Sequence, residues 1–120
     1  MTPAEQEQIQ DWIESALEYS GGTHVYQDIV DAIGKGRMQL WLGERGCAVT
    51  EIVVFPRKKV LHVFLAAGEM DQLFDAIDDA TKWAKGHGCT ALTLAGRPGW
   101  QRVLKPLGFV PTLVTMERNI

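Results

Sequence analysis

A chain of 120 residues, 46% hydrophobic and 22% charged, is long enough to bury one core and too short for two, so residues 1–120 are expected to form a single domain. A formal net charge of -3 gives no general attraction to nucleic acid, and no apolar run approaches the ~18 residues that a membrane span requires. The polar, acidic N-terminus is unlike a secretion signal, and Cys47 and Cys89 lack CxxC spacing, which predicts two reduced, buried thiols in a protein that is cytoplasmic when made.

The chain opens on Thr2-Pro3-Ala4-Glu5, a helix start in which threonine caps, proline takes the first helical position and the glutamate closes a capping box. Ile9, Trp12, Ile13 and Ala16 recur at helical spacing, while Glu5, Glu7, Asp11, Glu14 and Glu18 make the rest of this helix acidic. Gly21-Gly22 ends it. Thr23 is placed to cap a second helix that buries Tyr26, Ile29, Val30 and Ile33 and stops at Gly34-Lys35-Gly36.

From Met38 the periodicity changes to that of strands. Met38–Leu42, Cys47–Phe55 and Val60–Ala66 are separated by turns at Gly43-Glu44-Arg45-Gly46 and Pro56-Arg57-Lys58-Lys59, which predicts an antiparallel meander. A third helix follows over Met70–Lys85, with Leu73, Phe74, Ile77, Ala80 and Ala84 inward, acids near its start and lysines near its end. Thr90–Ala95 reads as a buried strand, parallel to its predecessor because the crossover between them must be right-handed. Gly99–Pro106 holds a short helix and Val110–Glu117 a last strand.

The segments Val60-Leu61-His62-Val63-Phe64-Leu65, Leu73-Phe74-Asp75-Ala76, Trp83 to Cys89, Leu92-Thr93-Leu94 and Val103-Leu104-Lys105-Pro106-Leu107-Gly108-Phe109 stand in a fixed order. As an ordered set covering roughly residues 23–118, they resemble the GNAT-type N-acetyltransferases. The resemblance implies an α/β fold with a mixed sheet: two N-terminal helices, a three-strand antiparallel meander, then helix, strand, helix, strand. It also implies where acetyl-CoA would lie. In that family a loop after the central strand, with a basic or amide residue and two glycines, offers its amides to the CoA pyrophosphate at a helix start.

This chain departs from that pattern. The corresponding stretch is Leu65-Ala66-Ala67-Gly68-Glu69-Met70-Asp71, with a single glycine and with no Arg or Lys between Lys59 and Lys82. Glu69 and Asp71 are expected to satisfy the free amides of the helix themselves and to repel a dianion. Many members protonate the leaving thiolate with a tyrosine four residues before the final Gly-Phe; here that residue is Leu104, and Tyr19 and Tyr26 fall in the early helices. The stretch from Gln39 to Gly68 resembles small GNAT-like proteins encoded among phage structural genes.

Remaining chemistries are weaker. Glu51 and His62 on the central strands are the candidates for a general base, against their ordinary reading as strand residues facing solvent. If CoA binds, Phe64, Leu65, Ala66, Ala67 and Gly68 would pair with its pantetheine arm, and Arg97 or Arg102 would hold a phosphate. No zinc-type spacing and no GxSxG segment occurs, so neither a metal nor a serine nucleophile is expected. Trp83, Trp100 and the basic tip Arg57-Lys58-Lys59 are candidate protein-contact residues. The sequence thus predicts no cofactor and a GNAT-like domain acting through a protein partner, phage structural proteins included, with the virion as a second location. Its alternative is an acetyl-CoA-dependent N-acetyltransferase with an atypical CoA site.

Overall fold

A computed structural model describes residues 2–120. The elements run α1 (Pro3–Leu17), α2 (Tyr26–Gly34), β1 (Gln39–Leu42), β2 (Gly46–Val54), β3 (Lys59–Gly68), α3 (Met70–Gly86), β4 (Ala91–Leu94), α4 (Trp100–Leu104) and a 3-10 turn at Lys105–Leu107. One sheet has the order β1-β2-β3-β4, antiparallel except for the parallel β3–β4 pair. This is the predicted meander followed by a strand-helix-strand crossover.

Local chemistry explains most boundaries. The Glu5 N–H donates to Thr2 Oγ1 at 3.1 Å and the Thr2 N–H donates to the Glu5 carboxylate at 3.4 Å, completing the capping box of α1. The helix ends at Leu17, earlier than Gly21-Gly22, because the Ser20 hydroxyl donates to the Leu17 carbonyl at 2.8 Å and takes over one of the terminal acceptors. Thr23 does not cap α2; its hydroxyl donates to the Ser20 carbonyl, and Asp28 accepts from the Val25 N–H at 2.9 Å instead. The buried face of α2 is Ile29 and Ala32, with Val30 turned to solvent.

The sheet divides the core. On one face α1 and α2 bury Ile9, Ile13 and Ile29 against Val49 and Leu65. On the other, α3 lays Leu73, Ile77, Ala80 and Ala84 over Ala48 and Leu61. Thr50, the one buried polar residue among the described residues, accepts from Trp41 Nε1 and donates to Gln39 Oε1, both at 2.9 Å, so its hydroxyl is satisfied within the protein. A bulge interrupts β3. Val49 faces Leu65 and the next pair is Thr50 with Val63, which leaves Phe64 as the extra residue. Phe64 and Leu65 consequently both pack toward α1 and α2.

One expected element is absent. Residues 110–120 form no strand, although Val110–Glu117 has strand composition. A strand requires a second strand to receive its N–H and C=O groups, and in the single chain nothing lies against this segment; Val110, Leu113, Val114 and Met116 are all exposed.

Candidate functional site

β3 and β4 pair only over Val60–Val63 with Ala91–Leu94. Past that point β3 continues to Gly68, while β4 ends at Leu94 and the chain goes on through Gly96 and Arg97 without strand pairing. The strands part, and the β3 backbone from Phe64 to Gly68 loses its ladder on that side. Between them opens a cleft of about 490 Å³, walled by Ala16 at the end of α1 and Tyr19 just past it, and by Gly96, Arg97 and Trp100 after β4. A cleft of this size accepts a small-molecule ligand or part of a larger one.

Phe64, Leu65, Ala66, Ala67, Gly68 and Arg97 all line it, so the geometry brings together most of the residues assigned to a CoA site. Arg102 is exposed on α4 and does not line the cleft. Tyr19 does, although nothing in its sequence context marks it for that place. Because α1 stops at Leu17, Tyr19 leaves the helical stripe and stands 60% exposed at the cleft mouth, with the Arg97 guanidinium 3.9 Å over its ring. Leu104, by contrast, is a core residue at 3% exposure and supplies no proton.

Glu51 and His62 are register partners across β2 and β3. Both are half-buried, and His62 alone of the two lines the cleft, its Nδ1 2.8 Å from Thr93 Oγ1. Burial lowers the His62 pKa, and the Glu51 charge offsets part of that shift. The imidazole is therefore neutral at pH 7 and chemically able to accept a proton. The folded state binds fewer protons at this site than the unfolded chain, whose histidine titrates near its ordinary value of about 6.5. Stability from this site is fully present above that value and is lost as the pH falls through the lower folded pKa. The urea midpoint is expected to decline below pH 6.5, and His62→Gln should flatten that decline.

The start of α3 differs from expectation. Glu69 makes no side-chain cap on its own helix. Its carboxylate lies 2.6 Å from Arg45 Nε, and Asp71 accepts from Arg45 Nη2 at 2.7 Å. The Glu69 N–H donates to the Arg45 carbonyl at 2.9 Å. The two acids thus clamp a cation delivered by the β1–β2 turn; they do not neutralise the helix amides. Gly68 permits this contact, because its φ is +96° and a Cβ there would overlap the Arg45 carbonyl oxygen and Gly46 Cα. Gly68, Glu69 and Met70 at the start of α3 still line the cleft, while the Arg45 turn packs against Gly68.

The proposed contact residues are dispersed. Trp83 is half-buried, edge-on to Trp41 with ring centres 5.8 Å apart and 4.0 Å from the His87 ring. Trp100 is half-buried over the Ala48–Leu73–Leu104 cluster and forms one wall of the cleft. Arg57 and Lys58 are exposed, whereas Lys59 belongs to β3 and its ammonium donates to the His87 carbonyl. Cys47 and Cys89 are buried free thiols, and burial pushes the Cys47 pKa up to about 11. Alkylation with iodoacetamide at pH 8 should accordingly leave Cys47 unmodified until denaturant is added, as read by intact mass. Among the described residues no three His, Cys, Asp or Glu side chains assemble as a metal-ligand group, and no helix is long and apolar enough to cross a membrane.

No family model matches the sequence, and no curated protein matches it significantly. Solved structures do match. The wild-type TTHA1254 protein of Thermus thermophilus is 17% identical with a TM-score of 0.65, over 100% of this chain and 93% of that one. A tetramutant of the BH1408 protein of Bacillus halodurans is 14% identical with a TM-score of 0.70, over 100% and 97%. An acetyltransferase of Trypanosoma brucei is 16% identical with a TM-score of 0.61, over 78% and 77%. Identities this low speak for architecture alone. With the meander, the parallel β3–β4 pair and the cleft between them, the fold of this chain is GNAT-like.

Proposed function

We propose that this protein is a GNAT-fold domain that acts through protein contacts and does not transfer acetyl groups. One observation carries the reading: the Arg45 turn is seated on the start of α3, with Gly68 pressed against it and Glu69 and Asp71 closed around the guanidinium. A CoA pyrophosphate at the start of α3 would meet the carboxylate of Glu69, which lines the cleft, with Asp71 in the first turn of the same helix. The phage particle as the setting rests on the sequence resemblance alone. The acidic face of α1, the Trp83 and Trp100 surroundings and the Arg57-Lys58 tip are the surfaces a partner would use. Calorimetry with acetyl-CoA tests the reading: no binding heat is expected at 100 µM-scale ligand (on the order of a 4–6 kcal/mol ceiling on affinity), and a micromolar Kd overturns it.

The cleft supports a second reading, an acyl-CoA-dependent N-acyltransferase with an atypical site. In it the unpaired β3 backbone at Phe64–Gly68 receives the pantetheine amides, Arg97 holds a phosphate, Tyr19 places an O–H at the mouth, and Glu51 or His62 serves as base. Under this reading Arg97→Ala weakens acetyl-CoA binding by about tenfold, the scale of a lost charge-assisted hydrogen bond, and thiol release with an amine acceptor is detectable. Binding without thiol release would instead mark a ligand sensor.

A further inference from the structure

We infer that the cleft receives the C-terminal end of an extended peptide from a partner protein, which adds to the free side of β3 and sets its terminal carboxylate on Arg97. The site rests on the protein-contact reading and gives that contact a place and a chemistry. Two features of the cleft each match one part of such a ligand. The first is backbone. From Leu65 to Gly68 one side of β3 is paired with β2, whereas pairing with β4 stops at Val63 with Leu94. In an antiparallel ladder the residues that are not bonded to the partner turn both N–H and C=O the other way. Alternate residues of this stretch therefore offer a donor and an acceptor to the cleft, which is an edge on which an extended chain can be added.

The second feature is charge. Arg97 is exposed on the opposite wall, and its guanidinium lies 3.9 Å over the Tyr19 ring. The ion pairs among the described residues both belong to Arg45, so no carboxylate of the chain engages Arg97. A guanidinium stacked on a ring keeps its N–H donors, which lie in its own plane, and the stack restrains the side chain before a ligand arrives. The backbone beneath is held too. The Trp100 N–H donates to the Arg97 carbonyl at 3.0 Å, and the Trp100 ring packs on Gly96 so closely that a Cβ there would lie 2.8 Å from it.

An open strand edge facing an unpaired cationic fork describes a peptide C-terminus. A carboxylate meets the fork with two parallel N–H···O bonds and brings a single negative charge. A phosphate dianion would bring more charge into a cleft that Glu69 also lines. A small organic acid would use the fork and leave the edge empty. Leu73, Leu94 and Trp100, which belong to the apolar cluster around Ala48, line the same space and would cover an apolar side chain near the end of the peptide. The partner is thus a protein whose chain ends in an extended, apolar segment with a free carboxylate.

Short random peptides with free C-termini, each paired with its C-terminal amide, are the probe, arrayed against the full chain and followed by calorimetry. Free acids ending in an apolar residue are expected to bind, with exchange slowed at amides within Phe64–Gly68. Amidation should weaken them about tenfold or more, and Arg97→Ala should abolish the difference between acid and amide. Tyr19→Ala should weaken binding about two- to fivefold, the scale of an exposed cation–π contact, while Tyr19→Phe keeps the parental affinity. Both side chains are exposed, so the variants retain the fold. Amides that bind as well as acids overturn the inference, as does an N-acetyl amino acid that binds as tightly as the peptides. Acetyl-CoA binding in a parallel titration overturns the protein-contact reading and this site with it. Silence toward both acetyl-CoA and the peptides overturns this site alone.

Discussion

Gly68→Ala is expected to destabilise the protein by about 3 kcal/mol or more, from two costs that add at one atom. The backbone there sits at φ +96°, and a side chain in left-handed conformation costs about 1–2 kcal/mol. The new methyl would also enter the space held by the Arg45 carbonyl and Gly46 Cα, both of them backbone and unable to swing aside. Such overpacking adds about 1–3 kcal/mol. Gly108→Ala is the matched control. Its φ is +89°, but nothing lies within 4 Å of the Cβ position, so only the backbone cost of about 1–2 kcal/mol applies. Thermal melts of the two variants decide the matter: equal losses would mean that the turn is not seated on α3. The comparison bears on function too, because a turn dislodged in Gly68→Ala exposes the first amides of α3. Acetyl-CoA binding gained in that variant, and absent from the parent, would identify the Arg45 turn as what closes the corner.

What could be read from the sequence follows a physical division. Features set by neighbours within a few residues were legible: the Thr2–Glu5 capping box, the stripes Ile9–Ile13 and Leu73–Ile77–Ala80–Ala84, and the ends of β2 and β3 to within two residues. Features set by distant parts of the chain were not. Arg45 meets Asp71 across 26 positions, and nothing in Gly43-Glu44-Arg45-Gly46 marks that partner. The acids at the start of α3 are legible in the sequence but their cation is not, and without it the helix amides are their nearest partners. The place of Tyr19 is not legible because it depends on Ser20 ending α1 early. The bulge at Phe64 leaves no trace in composition, since β3 reads as an unbroken apolar run either way. The strand predicted at Val110–Glu117 differs in kind. Its residues carry the preference, but the segment lies beside no strand of the sheet.

The cleft likewise depends on how firmly β3 and β4 are joined beneath it, and Leu61 is the residue that joins them. Its side chain is fully buried, and its register partner on β4 is Leu92, inside the four-residue stretch where the two strands pair. It packs against Ala80, Ala84 and Cys89, with Trp41, Ile52 and Trp83 around them. Those short side chains let α3 lie close to the sheet, and they cannot extend to refill space. Leu61→Ala is therefore expected in the upper part of the range for such truncations, about 3–5 kcal/mol by urea unfolding. Leu61→Met, which keeps the volume, should cost under about 1.5 kcal/mol. Leu104→Ala offers the contrast at a site of similar burial, because Leu73, Ile77 and the half-buried Trp100 around it have room to move inward. A Leu61→Ala loss no larger than that of Leu104→Ala would show that α3 can settle onto the sheet. The β3–β4 junction would then be a soft hinge, and the width of the cleft above it would not be fixed by the core.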